Sequence, residues 1–177
     1  MPFISLSGAV VGAINGIISW MRGSKTDANQ NMGFYNKYTK DILNLAEACK
    51  AEIQIYQEHF NSNKKMDDQL LTELSNYHNS IMDFVEKVQK TPELGNHPIL
   101  ASASYELDKN IESKPENELT HSILKSGLSR EIVRIIIDDY VTQGQKSGHF
   151  NSLNEKHRET LLEVKELLNE RKGWGIN

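Results

Sequence analysis

One cysteine, Cys49, stands in a chain of 177 residues. A single thiol excludes an internal disulfide and any cysteine-based zinc site, and it fits a reducing compartment. Basic excess is also missing. Twenty Lys and Arg face 24 Asp and Glu, a formal charge of −4, and the cations are spread among the acids. Phosphate backbones are held by concentrated positive faces, so nucleic acid is not the expected partner. No low-complexity run, charged tail or internal repeat interrupts the chain. Its length suits one domain with a real core, expected over 1–177.

Catalytic signatures are equally scarce. No glycine-rich phosphate loop follows a strand, and no G-x-S-x-G elbow occurs. The histidines are His59, His78, His97, His121, His149 and His157. Only Glu118 and His121 have the Glu-x-x-His spacing of carboxylate-bridged metal sites, which need two such pairs and two further glutamates. His59 and His78 flank apolar stripes and read as interfacial or surface residues. Cys49 falls on an apolar helix face, as a buried inert thiol would. Asp67-Asp68 suits a helix start, and Asp138-Asp139 a surface turn or partner contact. The expectation is a protein without catalytic residues, metal or cofactor.

What is present is helical periodicity; no alternating strand pattern stands out. Asp27 is a predicted N-cap for a helix reaching Phe60, whose stripe reads Tyr35, Tyr38, Ile42, Leu45, Cys49, Ile53, Tyr56, Phe60. Asn61-Ser62-Asn63 breaks it. A second helix opens near Asp67, carries Leu70, Leu74, Tyr77, Ile81, Phe84 and Val88, and ends at Pro92 and Gly95. Together, 27–90 predict a long antiparallel hairpin.

Shorter helices follow over 97–172. Pro98 starts one that Lys114-Pro115 closes, and Glu116 to Lys125 forms another, ended by Gly127. Ser129 caps an apolar helix with Ile132, Val133, Ile136, Ile137, Tyr140 and Val141. Gly144 to Gly148 reads as a loop. A last helix, Ser152 to Arg171, carries Leu153, Leu161, Val164 and Leu168 on one side. In the tail, Trp174 between two glycines either folds back onto the bundle or docks into a protein partner. The fold class is all-α: a multi-helix bundle with an apolar, glycine-rich N-terminal helix over 1–22.

That N-terminal helix carries the functional expectation. Gly8, Gly12 and Gly16 recur every four residues, so a helix stacks them on one side. Each interior glycine costs about 1 kcal/mol relative to alanine, so a backbone is expected to approach that side closely. The candidates are a second copy, a membrane-embedded neighbour or the rest of this chain. Phe3, Leu6, Val10, Ile14, Ile17 and Met21 form a bulky stripe, and Ser5, Gly8, Ala9, Gly12, Ala13, Gly16 and Ser19 a small one. Trp20 at the end, followed by Arg22 and Lys25, has the look of an interfacial anchor. No basic residue precedes the apolar run and no small-x-small cleavage site follows it, unlike a secretory signal; no myristoylation glycine or prenylation box is present.

The opening PFISLSGAVVGAINGIISW, a polar linker and a long helix bearing Tyr and Leu resemble fungal HeLo and HeLo-like domains and the N-terminal domains of fungal STAND receptors. The matching positions are Pro2-Phe3, Gly8-Ala9, Gly12-Ala13 and Trp20, within the first ninety residues. The resemblance implies an all-α bundle acting in programmed cell death, whose freed first helix inserts into membranes as the domains oligomerise. The expected partners are therefore other copies and membrane lipid, in a cytoplasmic protein that becomes membrane-associated on activation. The alternative is a soluble interaction module, such as an immunity, adaptor or regulatory protein. There the N-terminal helix is core, and the partner is a protein the sequence does not identify.

Overall fold

The computed structural model describes residues 5–23, 32–62, 66–95, 97–111 and 118–170. Among these, seven α-helices and one 3-10 turn account for the regular structure, and no strand occurs. The helices are α1 (Leu6–Gly23), α2 (Met32–Ser62), α3 (Asp68–Gln89), α4 (Pro98–Ile111), α5 (Glu118–Ser147), α6 (His149–Ser152) and α7 (Glu155–Glu170). The 3-10 turn is Pro92–Leu94. Asp27, Lys114-Pro115 and Trp174 lie outside the described residues, as do Phe3 and the side chains of Phe60, Leu107, Ile111, Glu118 and His121.

The two helices of the expected hairpin form, but they barely pack on each other directly: α1 packs against both. Tyr35, Tyr38, Ile42, Leu45, Cys49, Ile53 and Tyr56 of α2 are buried, as are Leu74, Tyr77, Ile81, Phe84 and Val88 of α3. Asp67 caps α3: its carboxylate accepts the Leu70 N–H at 2.7 Å, satisfying a first-turn donor. On α7, Leu161, Val164 and Leu168 face the same continuous core.

The second half departs from expectation in three places. Gly127 does not end a helix, and Ser129 does not cap one; α5 runs unbroken for 30 residues. Packing of its apolar face outweighs the propensity cost of an interior glycine. Ser129 is fully buried, and its hydroxyl donates to the Ser126 carbonyl at 2.9 Å, within the helix. Gly144 is likewise helical, with Phe150 lying over it 3.4 Å from where a Cβ would stand. The chain turns only at Gly148, whose φ of 79° is left-handed, a conformation glycine adopts without steric cost.

Two sets of contacts fix how α1 lies. Gly16 abuts Asp41 and Gly23 abuts Phe34, so α1 and α2 run antiparallel. Ser7 meets Glu73, Asn15 meets Lys87 and Arg22 meets Glu93, so α1 and α3 run in the same direction.

Candidate functional site

The bulky stripe of α1 faces inward. Leu6, Val10, Ala13, Ile17, Ile18, Trp20 and Met21 are buried, and Ile14 is partly so. Trp20, expected at the end of the stripe, is core in this fold. Its indole is fully enclosed, 5.5 Å edge-on from the Tyr140 ring, and its N–H meets no protein acceptor.

The three glycines have different surroundings. A Cβ on Gly16 would stand 1.9 Å from an Asp41 carboxylate oxygen, so glycine at this position lets α2 come close. A Cβ on Gly8 would meet only Ser5 of its own first turn, at 3.1 Å, and one on Gly12 would meet nothing within 4 Å. Beside them Val11 is 58% exposed. The expected close packing is therefore met inside the chain at Gly16 and left open at Gly12.

Polar contacts tie α1 to α3 at two heights and to the 3-10 turn beyond α3 at a third. The Glu73 carboxylate accepts the Ser7 N–H at 3.0 Å and the hydroxyls of Ser5 and Ser7 at 2.9 and 3.2 Å. Partial burial raises the Glu73 carboxyl, but the hydrogen bonds from Ser7, Ser5 and the Leu6 backbone prevail and hold it below the usual carboxylate range. Farther along, the Lys87 ammonium donates to Asn15 Oδ1 at 3.2 Å, and Arg22 pairs with Glu93 at 2.7 Å. Burial raises the Asp41 carboxyl beside Gly16, and Lys40 opposes this.

A second polar group is sealed between α2, α3 and α5. The Arg130 Nε donates to both carboxylate oxygens of Glu52, at 3.1 and 3.0 Å. Its Nη2 donates to Ser126 Oγ, which itself donates to Glu52 Oε1 at 2.9 Å. The guanidinium also lies 5.1 Å from the Tyr56 ring centre. Burial raises the Glu52 carboxyl, opposed by the Arg130 charge and by hydrogen bonds from Arg130 and Ser126. Burial also raises the Cys49 thiol, as an inert core cysteine requires.

His78 belongs to this group: of the interfacial or surface positions expected for it, it takes the interfacial one. Its Nδ1 lies 2.8 Å from Ser129 Oγ. Because that hydroxyl donates to the Ser126 carbonyl, Nδ1 must carry the proton and Nε2 is left as an acceptor with no donor. Burial, with the Arg130 and Lys125 charges, lowers the imidazole pKa to about 3, so His78 is neutral. Glu52, Ser126, Ser129, Arg130 and His78 are each at most 1% exposed. These five side chains join three helices and are closed off from solvent.

A third group joins α2 to the end of α5. The Thr39 hydroxyl donates to the Tyr35 carbonyl at 2.9 Å, and Tyr140 OH lies 2.6 Å from Thr39 Oγ1. The Tyr35 ring stacks on His149, centres 4.6 Å apart. Among the described residues no group of three or more His, Cys, Asp or Glu side chains is placed to hold a metal ion. No described helix is long and apolar enough to cross a membrane.

The accessible candidate is thus the outer side of α1, with Gly8, Val11 and Gly12. Leu6, Val10, Ile17 and Trp20 are core in this state, while Gly16 is an internal contact. No family model, curated protein or solved structure matches the chain.

Proposed function

We propose that the chain is a non-enzymatic, membrane-active helical protein that self-associates through the outer side of α1, in the manner its HeLo-like opening implies. The observation that carries this reading is the open space at Gly12. A helical glycine costs about 1 kcal/mol relative to alanine; at Gly16 Asp41 accounts for it, and at Gly12 no neighbour among the described residues does. A second helix laid across Gly8 and Gly12 makes the close backbone contact that such spacing favours.

The energetics give the reading an order. Association through Gly8, Val11 and Gly12 leaves the bundle intact. Freeing α1 removes Leu6, Val10, Ile17, Ile18, Trp20 and Met21 from the core, at about 1.5–3 kcal/mol each. Such a sum rivals the whole stability of a domain, about 5–15 kcal/mol. The helix therefore leaves the bundle only where another apolar phase receives the same side chains, as a bilayer does.

The test is leakage of dye-filled liposomes by the wild type and Gly12→Leu. A side chain at position 12 enters open space, so the variant keeps its helicity and a melting temperature at or above that of the wild type while leakage is lost. Equal leakage by both contradicts the role of this side. A wild type inert toward vesicles supports the second reading, a soluble interaction module with α1 as core, which the inward burial of the bulky stripe favours.

A further inference from the structure

The face of α2 turned away from α1 borders a groove of about 630 Å³, closed on its other side by the α6–α7 turn and the start of α7. Asn36, Lys40, Leu43, Asn44 and Glu47 recur at helical spacing along α2, and Ser152 to Thr160 supply the opposite wall. The size lies within the range of small-molecule sites, about 300–1,000 Å³. Its lining is mixed in the way such sites are: Leu43 and Leu153 are nearly buried apolar groups, and amides and cations surround them.

The charges point to the ligand class. Lys40 and Lys156 both line the groove and are exposed. No hydrogen bond or ion pair of the described residues engages either ammonium, although the chain has more acids than bases. Asp41, next to Lys40, is turned toward Gly16, so the nearest carboxylate in sequence does not reach into the groove. The His157 imidazole adds a ring nitrogen. The first turn of α7 points its positive end here as well: Asn154 Oδ1 accepts the His157 N–H at 2.8 Å, leaving other first-turn donors to a ligand. Glu47 is the one carboxylate in the lining, one turn beyond Leu43 and two turns from Lys40.

We propose that this groove binds a small phosphate monoester with an apolar substituent, the phosphate between Lys40 and Lys156 and the substituent against Leu43 and Leu153. Two ammonium groups match the charge of a monoester at neutral pH, about −1.5 to −2. The Thr39 hydroxyl, though in the lining, already bonds Tyr35 and Tyr140 and serves as wall. The site is separate from the outer side of α1 and does not depend on the reading of that helix.

The test is a titration of the isotopically labelled full chain with phenyl phosphate, followed by backbone amide shifts. Saturable shifts confined to residues 36–47 and 152–160 are expected. In Lys40→Gln/Lys156→Gln the affinity falls at least tenfold while the melting temperature nearly holds, because neither ammonium is held in a hydrogen bond or ion pair among the described residues. Phenol, which lacks the charge, produces no saturable shift. The proposal is overturned by an absence of saturable shifts, by equal affinity in the double variant, or by equal binding of phenol.

Discussion

The Glu73 carboxylate on α3 accepts the Ser7 backbone N–H at the start of α1, 3.0 Å away. Ser5, just upstream, takes the Gly8 N–H at 3.0 Å in the usual way, but the Ser7 N–H is taken by an acceptor on a different helix. Order at the beginning of α1 is therefore coupled to its docking on α3.

Glu73→Ala is expected to cost about 1 kcal/mol, the usual scale for losing a helix cap. Hydrogen exchange at Ser7 and Gly8 should accelerate more than at Ile17 or Ile18, deep in the core. Because the folded-state pKa of Glu73 lies below its ordinary value, its contribution is fully present above the unfolded-state pKa and is lost as pH falls through the folded one. Arg22→Ala, which removes an exposed ion pair, should change stability by less than about 1 kcal/mol.

The glycines of α1 separate under alanine substitution. Gly12→Ala adds a methyl group in open space and should raise stability by about 1 kcal/mol through helix propensity. Gly16→Ala drives its Cβ into the Asp41 carboxylate and should gain less or lose stability. In an Asp41→Ala background most of that deficit disappears, so thermal unfolding of the three single variants and the two doubles should show a non-additive pair at 16 and 41 and an additive one at 12 and 41.

The Glu52–Arg130 pair is expected to be costly to break and cheap to replace. Arg130→Met leaves a carboxylate in the core with one remaining donor, Ser126, and should destabilise by about 3–5 kcal/mol. Glu52→Leu/Arg130→Met removes both charges and should lie closer to wild type than Arg130→Met alone. Urea unfolding of the two single variants and the double gives the coupling directly.

His78 sets a pH dependence of known sign. Its folded-state pKa near 3 lies below the ordinary value of 6.5, so in acid the unfolded chain binds a proton that the folded chain refuses. Stability from this group falls as pH drops from about 6.5 toward 3, by up to about 1.4 kcal/mol per pH unit. Asp41, Glu52 and Asp139, whose carboxyls are raised, act in the opposite sense. The measurement is therefore a difference: the stability of wild type minus that of His78→Gln should shrink between pH 7 and pH 4.

Much of this architecture could be read from spacing. The stripes on α2, α3 and α7 appear in the sequence at three- and four-residue intervals and are buried as spaced. Punctuation in the second half misled because Gly127 and Gly144 are local signals, and the apolar face from Ile132 to Val141 overrides them in one continuous helix. The buried polar group was within reach of the same reasoning. His78 shares a stripe with Leu74, Ile81 and Val85, Glu52 lies one turn from Cys49 and Tyr56, and Arg130 shares a face with Val133 and Ile137. A polar residue in register with apolar ones is a buried partner in search of another. Which partner it finds depends on how helices are placed, and no single-helix pattern contains that. For α1, the sequence showed a small side and a bulky side; only the packed structure distinguishes the occupied Gly16 from the open Gly12.

The central claim, that the outer side of α1 receives a second copy at membranes, is tested most directly by disulfide trapping at the exposed position 11. The native thiol, Cys49, is fully buried, so Val11→Cys presents one reactive group beside Gly12. Under mild oxidation with anionic liposomes, the account predicts a covalent dimer for Val11→Cys and its loss in Val11→Cys/Gly12→Leu. A chain that stays monomeric on the vesicles with its fold intact, or a dimer equally abundant with leucine at position 12, would contradict it.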